Sequence, residues 1–77
     1  MSTQLNTLIA EVLHISPESI TDELAMSEVE SWDSLQHMNL IASLEKGYSI
    51  EFTFDDIIAM QNVKEIKRVL QLKGVEI

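Results

Sequence analysis

The sequence predicts an all-α fold: a small four-helix bundle of three longer helices and a short third one, with a long loop between helices one and two. Three observations carry this reading. Apolar residues recur at helical spacing in three separate segments, cap and stop residues punctuate those segments, and the one stretch that alternates like a strand has no second strand to pair with. The 77 residues, 45% of them apolar, are read as one domain (1–77) around one core. There is no Cys, so neither a disulfide nor a Cys-rich zinc site can staple it.

The first helix is expected over residues 3–14, where Leu5, Leu8, Ile9, Val12 and Leu13 fall at i, i+3, i+4, i+7 and i+8. Ser16-Pro17-Glu18-Ser19 then reads as a new start, with Ser as cap, Pro at the first helical position and Glu in the first turn. The acidic, irregularly apolar stretch through Ile20, Leu24, Met26 and Val29 is expected to be a structured loop, and loops this long are more often functional than filler.

The second helix starts in Ser31-Trp32-Asp33-Ser34-Leu35-Gln36-His37-Met38. Asp33 is the expected N-cap, Gln36 completes a capping box, and Gly47 is the expected stop after Lys46. At about 100° per residue from Ser34, Leu40, Leu44 and Ile41 form one apolar arc, while Leu35, Met38 and Ala42 form another. Together they cover more of the helix than one core-facing stripe requires. Either this helix is buried on two sides, the commoner cause, or the edge bearing Ser34, Leu35 and Met38 meets something else.

Tyr48, Ile50, Phe52 and Phe54 alternate with polar residues and are read as an extended connection that drops its apolar side chains into the core. A short helix is expected over Asp55–Met60. The last starts at Asn62, with Glu65 at the capping-box position, a stripe of Val63, Ile66, Val69 and Leu70, and Gly74 after its end.

The net charge of -8 is unevenly placed. Residues 1–45 contain Glu11, Glu18, Asp22, Glu23, Glu28, Glu30, Asp33 and Glu45 and no Lys or Arg, while acids and bases cancel in residues 46–77. Such a field repels phosphate backbones, which argues against nucleic acid, and attracts a basic protein surface. Solubility of a small domain is the plainer reason for it. No signal peptide, membrane span or lipidation site is recognisable, so a cytoplasmic monomer is expected.

Ser34 and His37, three apart on a helix, could form a nucleophile and base. A hydrolase needs in addition an orienting group, an oxyanion hole and a pocket, and no nucleophile elbow is present. His37 falls beside the core arc and is expected to be a hydrogen-bonded, partly buried side chain. The acids from Asp22 to Asp33 lack the spacing and the glycine of an EF-hand, so no metal site is expected.

Asp33-Ser34-Leu35 resembles the Asp-Ser-Leu modification motif of the acyl and peptidyl carrier proteins. The downstream Leu40, Ile41, Ser43-Leu44-Glu45, Tyr48-Ser49-Ile50-Glu51-Phe52 and Val63 to Leu70 continue the resemblance, which covers about residues 3–72. It implies a non-catalytic carrier of acyl or aminoacyl thioesters, on a 4′-phosphopantetheine arm that a separate phosphopantetheinyl transferase takes from coenzyme A and joins to Ser34. Asp33 is then the motif's helix cap. Leu35, Met38, Ala42, Glu45, Trp32 and Glu30 are implied as the surface that meets transferases, ligases and downstream synthases through helix two. Asn39 and Lys46 stand where fatty-acid carriers are often acidic, and Trp32 is unusual beside their small residues. These departures point to a specialised pathway. Trp32 also has a purely structural reading, as an apolar anchor for the chain's entry into the helix. The competing reading of the whole chain is an acidic helical module that binds proteins without modification.

Overall fold

The computed structural model describes residues 3–76. Four helices are present, α1 (Thr3–Leu13), α2 (Ser34–Tyr48), α3 (Phe54–Ala59) and α4 (Val63–Leu72), and the described residues contain no strand. The α1–α2 loop holds two 3₁₀ turns, Pro17–Ser19 and Met26–Glu28, of which the sequence suggested only the first. Leu5, Ile9 and Leu13 of α1, Leu40, Ile41 and Leu44 of α2, and Val63, Ile66, Val69 and Leu70 of α4 interlock as one buried core, closed by Trp32 and Met60. At roughly 1.5–3 kcal/mol per fully buried large aliphatic side chain, this core is the main stabilising term.

The long loop is fastened along its length. Met26 N–H donates to the Gln61 carbonyl (2.8 Å), Val63 N–H to Leu24 (2.9 Å) and Lys64 N–H to Asp22 (3.1 Å), so the loop runs antiparallel to the chain entering α4. The Asp22 carboxylate also pairs with Lys67 of α4 at 2.6 Å. At the loop's far end the Ser31 hydroxyl donates to the Leu13 carbonyl at 2.6 Å.

Three helices end in the same way. His14, Ser49 and Gly74 take left-handed φ values of 59°, 56° and 87°. The next residue then donates its N–H five positions back: Ile15 to Ala10, Ile50 to Glu45, Val75 to Leu70. That bond folds the chain back over the helix end, and the apolar Ile15, Ile50 and Val75 pack onto the core. The expected stop at Gly47 is therefore incorrect. Gly47 lies inside α2, where a Cβ would approach Leu8 Cδ1 of α1 to 3.3 Å, so its small size serves the α1–α2 contact.

The connection to α3 carries a second correction. Ile50 and Phe52 pack against the core, but Phe54 is 75% exposed, because it is the first residue of α3 instead of part of the extended segment. Thr53 caps α3 in a full capping box: Asp56 N–H donates to Thr53 Oγ1 (3.1 Å), and Thr53 N–H donates to the Asp56 carboxylate (2.9 Å). The helix thus begins one residue before the expected Asp55 and ends at Ala59.

Candidate functional site

Asp33 is the N-cap of α2, in extended conformation (φ -97°, ψ -174°), and its carboxylate accepts the Gln36 N–H at 2.9 Å. Gln36 does not complete the expected box. Its side-chain oxygen accepts instead from the Asn39 amide at 2.8 Å. Glu65 likewise bonds Arg68 (2.7 Å), while Asn62 alone caps α4 by accepting the Glu65 N–H at 2.8 Å. Because Asp33 supplies the cap, Ser34 is free of it. Ser34 is exposed and occupies the first position of α2. The N–H groups of Ser34 and Leu35 have no carbonyl one turn back to bond, and the helix dipole gives this end partial positive charge.

The second apolar arc of α2 faces outward. Leu35 is 72% and Met38 51% exposed, and Ala42 is exposed too, so burial on two sides is not what widens the apolar surface. Leu40, Ile41 and Leu44 are buried, as their arc requires. Glu45 is only partly exposed, and its carboxylate accepts the Phe52 N–H at 2.9 Å, which holds the segment leaving α2. Glu30 is exposed on the rim of a groove of about 500 Å³, which has Ile15, Leu24 and Val29 in its wall.

Trp32 does not lie on the surface with these residues. It is 2% exposed, and its indole Nε1–H donates to His37 Nδ1 at 3.0 Å. The assignment of Trp32 to a partner-facing surface is thus corrected: the side chain is spent on the core and on His37. His37 itself is 7% exposed, and its Nε2 stands 2.9 Å from the Ile57 carbonyl of α3. These partners fix the neutral tautomer, with Nδ1 accepting and Nε2–H donating. Both ring nitrogens are therefore engaged away from Ser34, and the pair is not a nucleophile with its base. Relative to the cap, Trp32 is the residue before it and His37 the fourth helical residue. This is the spacing of a hydrophobic staple, closed here by a hydrogen bond. That spacing is visible in the sequence; the third member, the Ile57 carbonyl, is not.

Among the described residues no three His, Cys, Asp or Glu side chains gather where they could hold a metal ion. No described helix is long and apolar enough to cross a membrane.

The family described as "phosphopantetheine attachment site" matches residues 3–70. Among solved structures, the chain is similar to the solution NMR structure of a holo acyl carrier protein from Geobacter metallireducens, with 29% identity and a TM-score of 0.74 over 100% of this chain and 98% of that one. A search of curated proteins finds no match.

Proposed function

Since this chain belongs to the phosphopantetheine attachment site family, we propose that it is a carrier whose 4′-phosphopantetheine arm is joined to Ser34. The observation that carries the proposal is the exposed Ser34 at the first position of α2, relieved of capping by Asp33. When bound, the arm supplies a thiol, which a chain without Cys lacks, and on it acyl or aminoacyl groups are held as thioesters.

The residues present fit such a group. The new phosphodiester would be an anion at the start of a fifteen-residue helix, where unpaired N–H groups and the dipole favour negative charge. In the attachment, Ser34 Oγ bonds to the pantetheine phosphorus of coenzyme A. Adenosine 3′,5′-bisphosphate leaves with the electrons of the broken P–O bond, and the hydroxyl proton passes to a base. His37 is occupied by Trp32 and Ile57, so that base belongs to a separate phosphopantetheinyl transferase. The chain itself is then not an enzyme; it presents a hydroxyl.

Leu35, Met38 and Ala42, exposed beside Ser34, are the surface on which the transferase, the loading ligase and the downstream synthases dock. Glu30 lies outside this helix and adds negative charge near it, while Glu45 is divided between partner attraction and its bond to Phe52. The work is that of a cytoplasmic monomer in fatty-acid, polyketide, nonribosomal-peptide or related specialised biosynthesis. Asn39 and Lys46 on α2 favour the specialised pathways.

Intact-mass spectrometry after incubation with coenzyme A and a broad-specificity phosphopantetheinyl transferase tests the proposal. One phosphopantetheine is expected on the wild type and none on Ser34→Ala. A folded wild type that gains no mass with several such transferases overturns it.

A further inference from the structure

Ser34 sits between two clamps. On one side the Asp33 carboxylate holds the Gln36 N–H. Around the same turn, Trp32, buried just before the cap, is bonded through its indole N–H to His37, which in turn is bonded to the Ile57 carbonyl near the end of α3. Helix first turns fray readily, because their N–H groups lack partners within the helix. Here the turn that carries Ser34 is tied across its own cap and then to a neighbouring helix. The Ile57 carbonyl also accepts the Met60 N–H, but only at 3.4 Å, so the 2.9 Å bond from the imidazole is the shorter tie on the C-terminal end of α3.

We infer that His37 is a positioning residue for phosphopantetheine transfer: the Trp32–His37–Ile57 relay holds the first turn of α2 so that the Ser34 hydroxyl meets the transferase already ordered. This rests on the assignment of Ser34 as the attachment point. His37 touches neither the hydroxyl nor the incoming phosphate; it acts through the backbone frame that Ser34 occupies. Met38 and Ile58, each one residue on from the bonded pair, are both exposed, so the relay also sets the relative position of two apolar side chains on the outer faces of α2 and α3. Without it, part of the ordering of Ser34 falls to the transferase, and the binding energy that does that ordering no longer lowers the barrier.

The experiment compares kcat/KM for modification by coenzyme A and transferase at a temperature where every variant is fully folded by circular dichroism. His37→Leu removes both bonds, Trp32→Phe removes only the indole donor, and His37→Gln offers an acceptor and a donor on one planar group. His37→Leu and Trp32→Phe are expected to fall by about three- to tenfold, the size of one net hydrogen bond, with His37→Gln recovering most of the loss. Val69→Ala, a cavity in α4 away from this turn, is the control for lost stability and is expected to be modified at the wild-type rate. The single indole N–H resonance should move in His37→Leu and return toward its wild-type position in His37→Gln. If His37→Leu does not fold, Trp32→Phe against Val69→Ala carries the comparison. Wild-type rates in the relay variants, a His37→Gln no better than His37→Leu, or an equal loss in Val69→Ala overturns the inference. Failure of the wild type to be modified at all overturns the Ser34 assignment instead.

Discussion

The Ser31 hydroxyl donates to the Leu13 carbonyl at 2.6 Å across eighteen residues of sequence, joining the end of the long loop to the end of α1. Leu13 is the last residue of α1, so its carbonyl has no partner within the helix. The segment that delivers Trp32, Asp33 and Ser34 to the start of α2 is thereby anchored three residues before the attachment point. Ser31→Ala is expected to lower unfolding free energy by about 1 kcal/mol in urea titrations, the typical net worth of such a bond. Amide exchange should quicken in residues 29–32 before it does in α4.

Ser49 holds a left-handed conformation that costs a non-glycine residue roughly 1–2 kcal/mol, part of which its cap bond to Glu45 recovers. Ser49→Gly removes the strain at the expense of a more flexible unfolded chain, and a net gain of about 0.5–1 kcal/mol is expected. Thermal unfolding followed by circular dichroism checks it, and a loss of stability would mean that the Ser49 side chain does more than tolerate its φ.

The same helix end marks where local sequence misleads. Glycine after an amphipathic run is a fair stop signal, yet Gly47 lies inside α2, where it packs closely against Leu8, and the stop falls two residues later. What fixes the end is the apolar Ile50 returning to the core, a long-range condition that a cap residue does not announce. Much else was legible. The periodicity of Leu40, Ile41 and Leu44 located the core face of α2, and it set Leu35, Met38 and Ala42 on a second arc whose exposure only the fold decides. Asp33 was readable as a cap because its short carboxylate precedes the apolar run by the right interval. Trp32 was readable as an apolar anchor at the helix entry; its relay through His37 to the Ile57 carbonyl was not, since only the folded chain brings that carbonyl to it. Thr53 was missed for a related reason: the alternation of Tyr48 to Phe54 masked a helix start inside it.

Asp56 joins α3 to α4 and gives the fold an acid-sensitive point. Its carboxylate accepts the Thr53 N–H at 2.9 Å and meets Lys73 Nζ at 2.9 Å, while the same ammonium lies 5.8 Å from the Phe52 ring centre. The Thr53 N–H, and after it Lys73, hold the Asp56 carboxyl below its ordinary value of 3.8. A carboxyl with a lowered folded pKa binds its proton more readily when unfolded. The stabilisation is therefore complete above the ordinary value and is lost as pH falls through the lowered folded one. Asp56→Asn is expected to be less stable than the wild type at pH 7, with the gap narrowing toward pH 3. Urea midpoints at the two values check this, and a gap of constant size would assign the effect to packing instead of charge.

The outer face of α2 separates recognition from folding. Leu35 and Met38 lie beside Ser34 with most of their surface in water, so little burial is lost when they are truncated, and exposed substitutions of this kind fall within about 0.5 kcal/mol. Leu35→Ala and Met38→Ala should leave urea midpoints nearly unchanged. An enzyme that reaches the Ser34 hydroxyl must cover these side chains, and truncating a buried interface anchor commonly costs about 1–2 kcal/mol. Modification should accordingly slow about five- to thirtyfold, mainly through KM, since the hydroxyl itself is untouched. Raising salt should weaken this effect little, because Asn39 and Lys46 leave the exposed face of α2 without the acids that would make docking electrostatic. Steady-state kinetics across salt concentrations read both quantities at once. A steep salt dependence with unchanged rates in Leu35→Ala and Met38→Ala would move the docking surface from this apolar face to the acidic loop around Glu28 and Glu30.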